Sequence, residues 1–204
     1  MAAILDIISS MIFGGILFIL VLTAQDNAIE NQSTHHSDML VQEMLTSTAQ
    51  LVEGEFRNMG FGIPENETTI LSADSSRIAF LCDLDHNGVP DSIRYILGDT
   101  TELRDTQNEQ DRYLYRSVNG STPAQVGVVT IFKLQFFSRS GEQLQTPVQS
   151  DRLSEIHVVE VTMEVQNPYG LYRSPDQVHA GERDALYSSS LWQQTRLASQ
   201  NSRR

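Results

Sequence analysis

Asp83-Leu84-Asp85-His86-Asn87-Gly88, followed by Asp91, gathers several oxygen-bearing side chains within nine residues. Alternating oxygens ahead of a glycine are how the first half of a calcium loop wraps a hard cation, the glycine allowing the sharp turn. Asp83, Asp85, Asn87 and Asp91 are therefore candidate ligands, and calcium is the one candidate cofactor. The twelfth position, where an EF-hand places a bidentate glutamate, holds Arg94, and the flanks alternate like strands rather than helices. A hairpin turned at Asn87-Gly88 with Asx hydrogen bonds accounts for the same residues without metal. Both explanations stand at the level of sequence.

A second chemically pointed residue is Asp6, the only acid in the apolar stretch Ala2 to Ala24. A carboxylate in a lipid or protein interior costs a few kcal/mol unless a cation meets it. No Lys or Arg precedes Arg57, so the expected partner is the amino terminus of a neighbouring copy. A secretory signal peptide would need a basic leading region, so the segment is expected to be retained. It is about long enough to cross a bilayer, for which roughly 20 residues suffice. Ser9, Ser10, Gly14 and Gly15 soften its first half, and small residues let helices approach closely. A single-pass anchor is the plainer alternative. Ala2, Asp6, Gly14, Gly15 and Phe18 are the candidate contacts if the helix associates with others.

Other chemistry is thinly represented. No nucleophile elbow, P-loop or dinucleotide fingerprint occurs, and an enzyme is not expected. His35 and His36 are adjacent, so on a helix they point different ways and cannot share a metal. His157 falls on the apolar face of an alternating run and is expected to be partly buried, while His86 and His179 are scattered. Cys82 is the only cysteine, which excludes an intrachain disulfide, and its flanks Phe80-Leu81 mark it as a small buried apolar group. A net charge of −12 and a pI near 4.7 argue against nucleic acid and anionic membrane surfaces, both of which need a basic footprint. Arg196, Arg203 and Arg204 form a small basic tail, either disordered or in contact with an acidic neighbour.

The elements that position these residues follow from hydrophobic period. Nothing from Asp26 to His36 forces a helix to stop, and Leu40, Val41, Met44, Leu45, Thr48, Leu51, Val52 and Phe56 recur at three and four residues, one helical face. A helix from about Ala3 to Arg57 would be on the order of 80 Å long, so about half must project from a domain of this size. Gly60, Gly62 and Pro64 should end it. The period then drops to two. Ile78, Phe80 and Cys82, then Ile93, Tyr95 and Leu97, read as a hairpin. Gly98 to Asp111 reads as a polar surface loop, and Tyr113 and Tyr115 as a short strand closed by Asn119-Gly120. Phe132, Leu134 and Phe136 form another strand, turned at Ser140-Gly141. The clearest is Ile156 to Val165, with His157, Val159, Val161, Met163 and Val165 on one face. Leu191 and Trp192 should pin a last short strand. The expected class is α+β: a long N-terminal helix, apolar then amphipathic, laid on one face of an antiparallel sheet. Its expected organisation is an apolar helix over 1–28, an amphipathic continuation over 29–60, and one β-domain over 61–204.

This order of parts resembles the type IV pilin-like family, most closely the W-type minor pilins and the J-type pseudopilins of type II secretion. The run Glu55-Phe56-Arg57-Asn58-Met59-Gly60-Phe61-Gly62 is similar to their helix exit. Ile78 to Gly88 leading to Ser92-Ile93-Arg94-Tyr95 resembles their Asp-rich hairpin. Val129 to Phe137, Ile156 to Val165 and Ser188 to Arg196 resemble their later strands and closing segment. Each motif alone is weak, and their order carries the resemblance. It implies a structural subunit of an extracellular filament or secretion pseudopilus, held in the cytoplasmic membrane before assembly. The implied partners are copies of itself or related pilins and an assembly ATPase machinery. The family carries a basic leader cut before a methylated residue, with glutamate at the fifth mature position. Here Asp6 stands in that role, and removal of Met1 would make it the fifth residue.

Overall fold

The structure is a computed structural model that describes residues 2–64, 67–104, 106, 108–168 and 190–198, the side chains of 2, 3, 190–192 and 198 excepted. A single helix, α1, runs unbroken over Ala2–Arg57. At 1.5 Å per residue it is roughly 84 Å long. Its burial divides it sharply. The large apolar side chains from Ile4 to Leu22 each expose between 43% and 73% of their surface. The first buried position is Ser37, and from there Val41, Leu45, Thr48, Ala49, Val52, Glu55 and Phe56 form the covered stripe. Leu51, expected on that stripe, is 37% exposed, because Glu55 rather than Leu51 occupies the inward edge. The helix stops where expected: Gly60 and Gly62 have φ of 75° and 74°, the left-handed region that glycine enters without a Cβ clash.

Nine strands follow among the described residues, all paired antiparallel, and α+β is the architecture. They form two sheets rather than the single expected one. The first is a meander of β1 (Ile70–Asp74), β2 (Arg77–Cys82), β3 (Asp91–Leu97), β4 (Arg112–Val118) and β5 (Ala124–Val129). The second has the order β7-β6-β8-β9, from β6 (Ile131–Ser138), β7 (Gln143–Leu144), β8 (Ile156–Gln166) and β9 (Ser190–Ala198). The chain changes sheet at Thr130, whose N–H and hydroxyl both donate to the Glu164 carbonyl at 2.8 and 3.2 Å. At the other edge the Leu134 N–H donates to the Ser75 carbonyl at 2.8 Å and the Val148 N–H to the Ala73 carbonyl at 2.9 Å. Both edges of the first sheet therefore touch the second, and one core fills the space between them.

The helix lies over the junction, against β5, β8 and β9. Gly127 is required there: a Cβ at that position would come within 2.4 Å of the Thr48 hydroxyl. The hairpin pairs as its alternation predicts, Ile78 opposite Tyr95 and Phe80 opposite Ile93, with these four and Cys82 fully buried. Phe56 meets Phe80 and Tyr95 edge-on, at 5.4 and 5.5 Å between ring centres. Strands β1 and β5 were not legible, since Leu71-Ser72 and Gln125-Val126-Gly127 break period two, and both strands carry register shifts.

Two further expectations are corrected. The segment Gly98 to Asp111 is not a simple surface loop: Leu103, Asn108 and Asp111 are buried, and the Asn108 amide donates to the Gln166 side chain at 3.0 Å. His157 is half-buried, as expected, with Nδ1 3.3 Å from the Glu155 carbonyl oxygen, but it does not continue the alternation of the strand. A register shift pairs Phe137 with Val158 but Ser138 with Ile156, so an extra residue bulges at His157 and Ile156 turns inward instead. The strand of Leu191 and Trp192 exists as β9, whereas their side chains, His179, Arg203 and Arg204 lie outside the described residues.

Candidate functional site

The projecting half of α1 is the first candidate. It contains a strongly apolar stretch with nothing buried, and Ile4 to Leu22 would span roughly 28 Å, close to the hydrocarbon thickness of a bilayer. By length and composition it fits a transmembrane helix. Two of its hydroxyls are satisfied internally: Ser10 donates to the Ile7 carbonyl at 2.8 Å and Thr23 to the Ile19 carbonyl at 3.0 Å, which removes much of their cost in an apolar medium. Asp6 and Phe18 are exposed. A Cβ built at Gly14 or Gly15 meets nothing within 4 Å. Among the described residues, nothing beyond the helix itself covers any of these four. The Ala2 backbone belongs to the helix, and its side chain lies outside the described residues.

The second candidate is the Asp-rich hairpin. Its turn is a longer loop over 83–90 rather than a tight Asn-Gly connection, with His86 and Gly88 at φ 61° and 82°. Oxygens of Asp83, Asp85 and Asp91 lie within 4.8 Å of one another, so three of the four expected ligands converge. The same oxygens already accept hydrogen bonds. Asp83 takes the N–H groups of Asn87 and Gly88, both at 3.0 Å. Asp91 takes the Leu84 N–H at 3.1 Å and the Asn119 amide at 2.6 Å. Asp85 takes the Asn87 side-chain amide at 2.8 Å, while the Asn87 oxygen accepts the Val89 N–H at 2.7 Å. Asn87 is thus turned to the backbone. Gly62 lets the helix exit close on this loop, since a Cβ there would sit 2.6 Å from that of Asp83.

A third cluster escaped the sequence. Glu55 is buried on α1 and accepts the Tyr95 hydroxyl at 2.5 Å and the Arg116 Nε at 2.9 Å, joining the helix to β3 and β4. Two residues earlier, Glu53 accepts from Gln193 at 2.6 Å and Thr195 at 2.7 Å on β9. One turn of helix is thereby bolted to both sheets. Burial pushes the Tyr95 phenol well above its ordinary value, and Glu55 beside it adds to the shift. The Glu55 hydrogen bond holds the Arg116 guanidinium more firmly protonated than usual. The available signal was an acid on the otherwise apolar stripe next to Phe56. Cys82 lies beneath the same cluster, and burial first, then the Glu55 charge, raises its thiol to about 11. A thiol so protonated is a poor nucleophile.

His35 and His36 are exposed on the helix, and the described residues group no histidine with other metal-ligating side chains. No protein-family model matches the chain, and neither a curated protein nor a solved structure matches it.

Proposed function

We propose that this chain is a structural subunit of a type IV pilin-like filament or secretion pseudopilus, of the W-type minor pilin or J-type pseudopilin kind. The carrying observation is a helix whose leading run, Ile4 to Ala24, is apolar, uncovered and holds a single carboxylate, and which continues unbroken into a half bolted to a β-domain. Each large apolar side chain moved out of water gains roughly 1.5–3 kcal/mol. The run from Ile4 to Leu22 must therefore be covered by lipid or by other helices. Asp6 lies two residues, roughly 3 Å, inside the Ile4 end of this run, where a carboxylate reaches the interface and membrane residence is tolerable. In a helical bundle no such escape exists, and a neighbour's terminal ammonium would answer it and fix axial register. The helix serves the cytoplasmic membrane first and the filament core second. Withdrawal from lipid gains little hydrophobic energy, so packing, charge pairing and an ATP-driven machine supply the rest.

The competing reading is a monomeric single-pass protein with a periplasmic binding or adhesive domain, which the hydropathy of the span serves equally well. Asp6→Ala separates them. The filament reading expects normal membrane insertion and no incorporation into filaments, scored by fractionation and electron microscopy. Unchanged assembly, or a dispersed monomer in the wild type, would overturn it.

A further inference from the structure

A cleft of about 330 Å³ opens where the Pro147–Val148 segment meets the β1–β3 corner of the first sheet. Its lining includes Ser72, Asp74, Arg77, Arg94, Ile96 and Val148. Strand register explains this set. Asp74 pairs with Arg77 and Arg77 with Ile96, while Arg94 sits opposite Ala79, so these side chains share the face turned away from the core. The two arginines differ in state. Arg77 donates to the Asp74 carboxylate at 2.9 Å, and the Ser75 N–H together with Arg77 keeps that carboxyl below its usual range. Arg94 is exposed, and its side chain has no ion pair or hydrogen bond among the described residues. The cleft therefore presents one uncompensated guanidinium beside a hydroxyl and an apolar rim. A guanidinium favours planar oxyanions, which it holds with paired hydrogen bonds.

The complementary charge lies elsewhere on the chain. Over residues 1–56 there is no Lys or Arg, while Asp26, Glu30 and Glu43 stand in the stretch where α1 leaves the domain. Asp26 and Glu30 precede the first buried helix position, Ser37, and so project above the β-domain that carries the arginines. In an assembly built on parallel, staggered helices, this acidic stretch of one copy passes the domain of another. With a net charge of −12, contact between copies needs carboxylates seated on cations.

We propose that the Arg94 cleft receives a carboxylate from the Asp26–Glu43 stretch of a second copy. This rests on the self-assembly reading and names one of its domain contacts. The test uses the full chain in detergent micelles at low salt, with self-association followed by sedimentation and filament formation by electron microscopy. Arg94→Glu should weaken association at least tenfold and abolish its salt dependence, whereas Arg94→Lys should retain part of it. Asp26→Arg, Glu30→Arg or Glu43→Arg, added singly to Arg94→Glu, should restore association in at least one combination. Restoration in none, or unchanged association of Arg94→Glu, overturns the cleft contact and leaves the Asp6 test of assembly untouched. A wild-type chain that never self-associates overturns both. Acetate titrated at constant ionic strength distinguishes a free carboxylate as occupant. Binding at the cleft that leaves association unaltered would overturn the second copy as its source.

Discussion

Two acids on one helix, Asp6 and Glu55, show how differently the same group is treated at its two ends. Glu55 is buried and fully answered within the chain, by the Tyr95 hydroxyl and the Arg116 guanidinium. Asp6 stands in an uncovered apolar run with no Lys or Arg before Arg57. An acid whose counter-charge is intramolecular stabilises a domain. An acid whose counter-charge is absent from its surroundings implies a second molecule or an interface. The helix between them is continuous, so the domain fixed at one end sets the direction and height of the other.

The comparison breaks most visibly if Glu55 is removed. Glu55→Ala should cost about 3 kcal/mol, because the Tyr95 hydroxyl and the partly buried Arg116 lose their shared acceptor. Urea unfolding of the full chain in detergent, read from the β-domain, measures this. Glu55→Gln should cost less, since an amide oxygen still accepts from Tyr95. Asp6→Ala should leave the same unfolding curve unchanged, despite the assembly defect expected of it. An Asp6 variant that destabilised the β-domain would abolish the distinction.

The Glu55 cluster also predicts behaviour in alkali. Burial raises the Tyr95 phenol above its ordinary value of about 10, so the folded domain keeps a proton that the unfolded chain releases. Its stability contribution is complete below about pH 10 and is lost as pH rises beyond. Denaturant midpoints should fall above pH 10 in the wild type and fall less in Tyr95→Phe, which starts from a lower value. A smaller effect is expected at Asp111, whose carboxylate oxygens are buried without a hydrogen-bond partner among the described residues. Burial pushes this carboxyl up to about 6. Here the folded state resists ionisation, so stability is lost as pH rises from near 4 through 6. Asp111→Asn should be more stable than the wild type at pH 7, by on the order of 1 kcal/mol. Below about pH 4 the two should converge.

Periodicity revealed what strict spacing controls and missed what depends on long-range partners. The helix, its end at Gly60 and Gly62, and the facing rows of β2, β3, β6 and β8 were legible because an uninterrupted period of 3.6 or 2 reports one buried face. The second sheet was not. Thr130, where the chain passes between sheets, is locally indistinguishable from a continuing strand, and its role is set by the distant Glu164 carbonyl. His157 alternates properly in sequence and is displaced by a bulge set by pairing with β6. The Arg94 cleft combines strands with the Pro147–Val148 segment, more than fifty positions away, and no spacing rule links them. Of the expected site, Asp83, Asp85 and Asp91 converge in the turn while Asn87 directs its oxygen to Val89, and Asp6 and Phe18 lie exposed on a run that nothing in the described residues covers.

The Asp-rich hairpin sharpens the comparison at its smallest scale, as a third group of acids satisfied within the chain. Calcium would need several oxygens free to turn inward at 2.3–2.6 Å. In this loop Asp83 spends both oxygens on backbone N–H groups, Asp91 spends both on Leu84 and Asn119, and Asn87 directs its oxygen to Val89. A bound ion would have to displace hydrogen bonds that hold the turn. Arg94 further removes the bidentate acid that usually completes the shell. The expected outcome is one melting temperature with millimolar calcium or with chelator, while Asp83→Ala lowers it equally in both. A calcium-dependent rise that disappears in Asp83→Ala would instead make the turn a metal loop, and its folded state a function of the free ion.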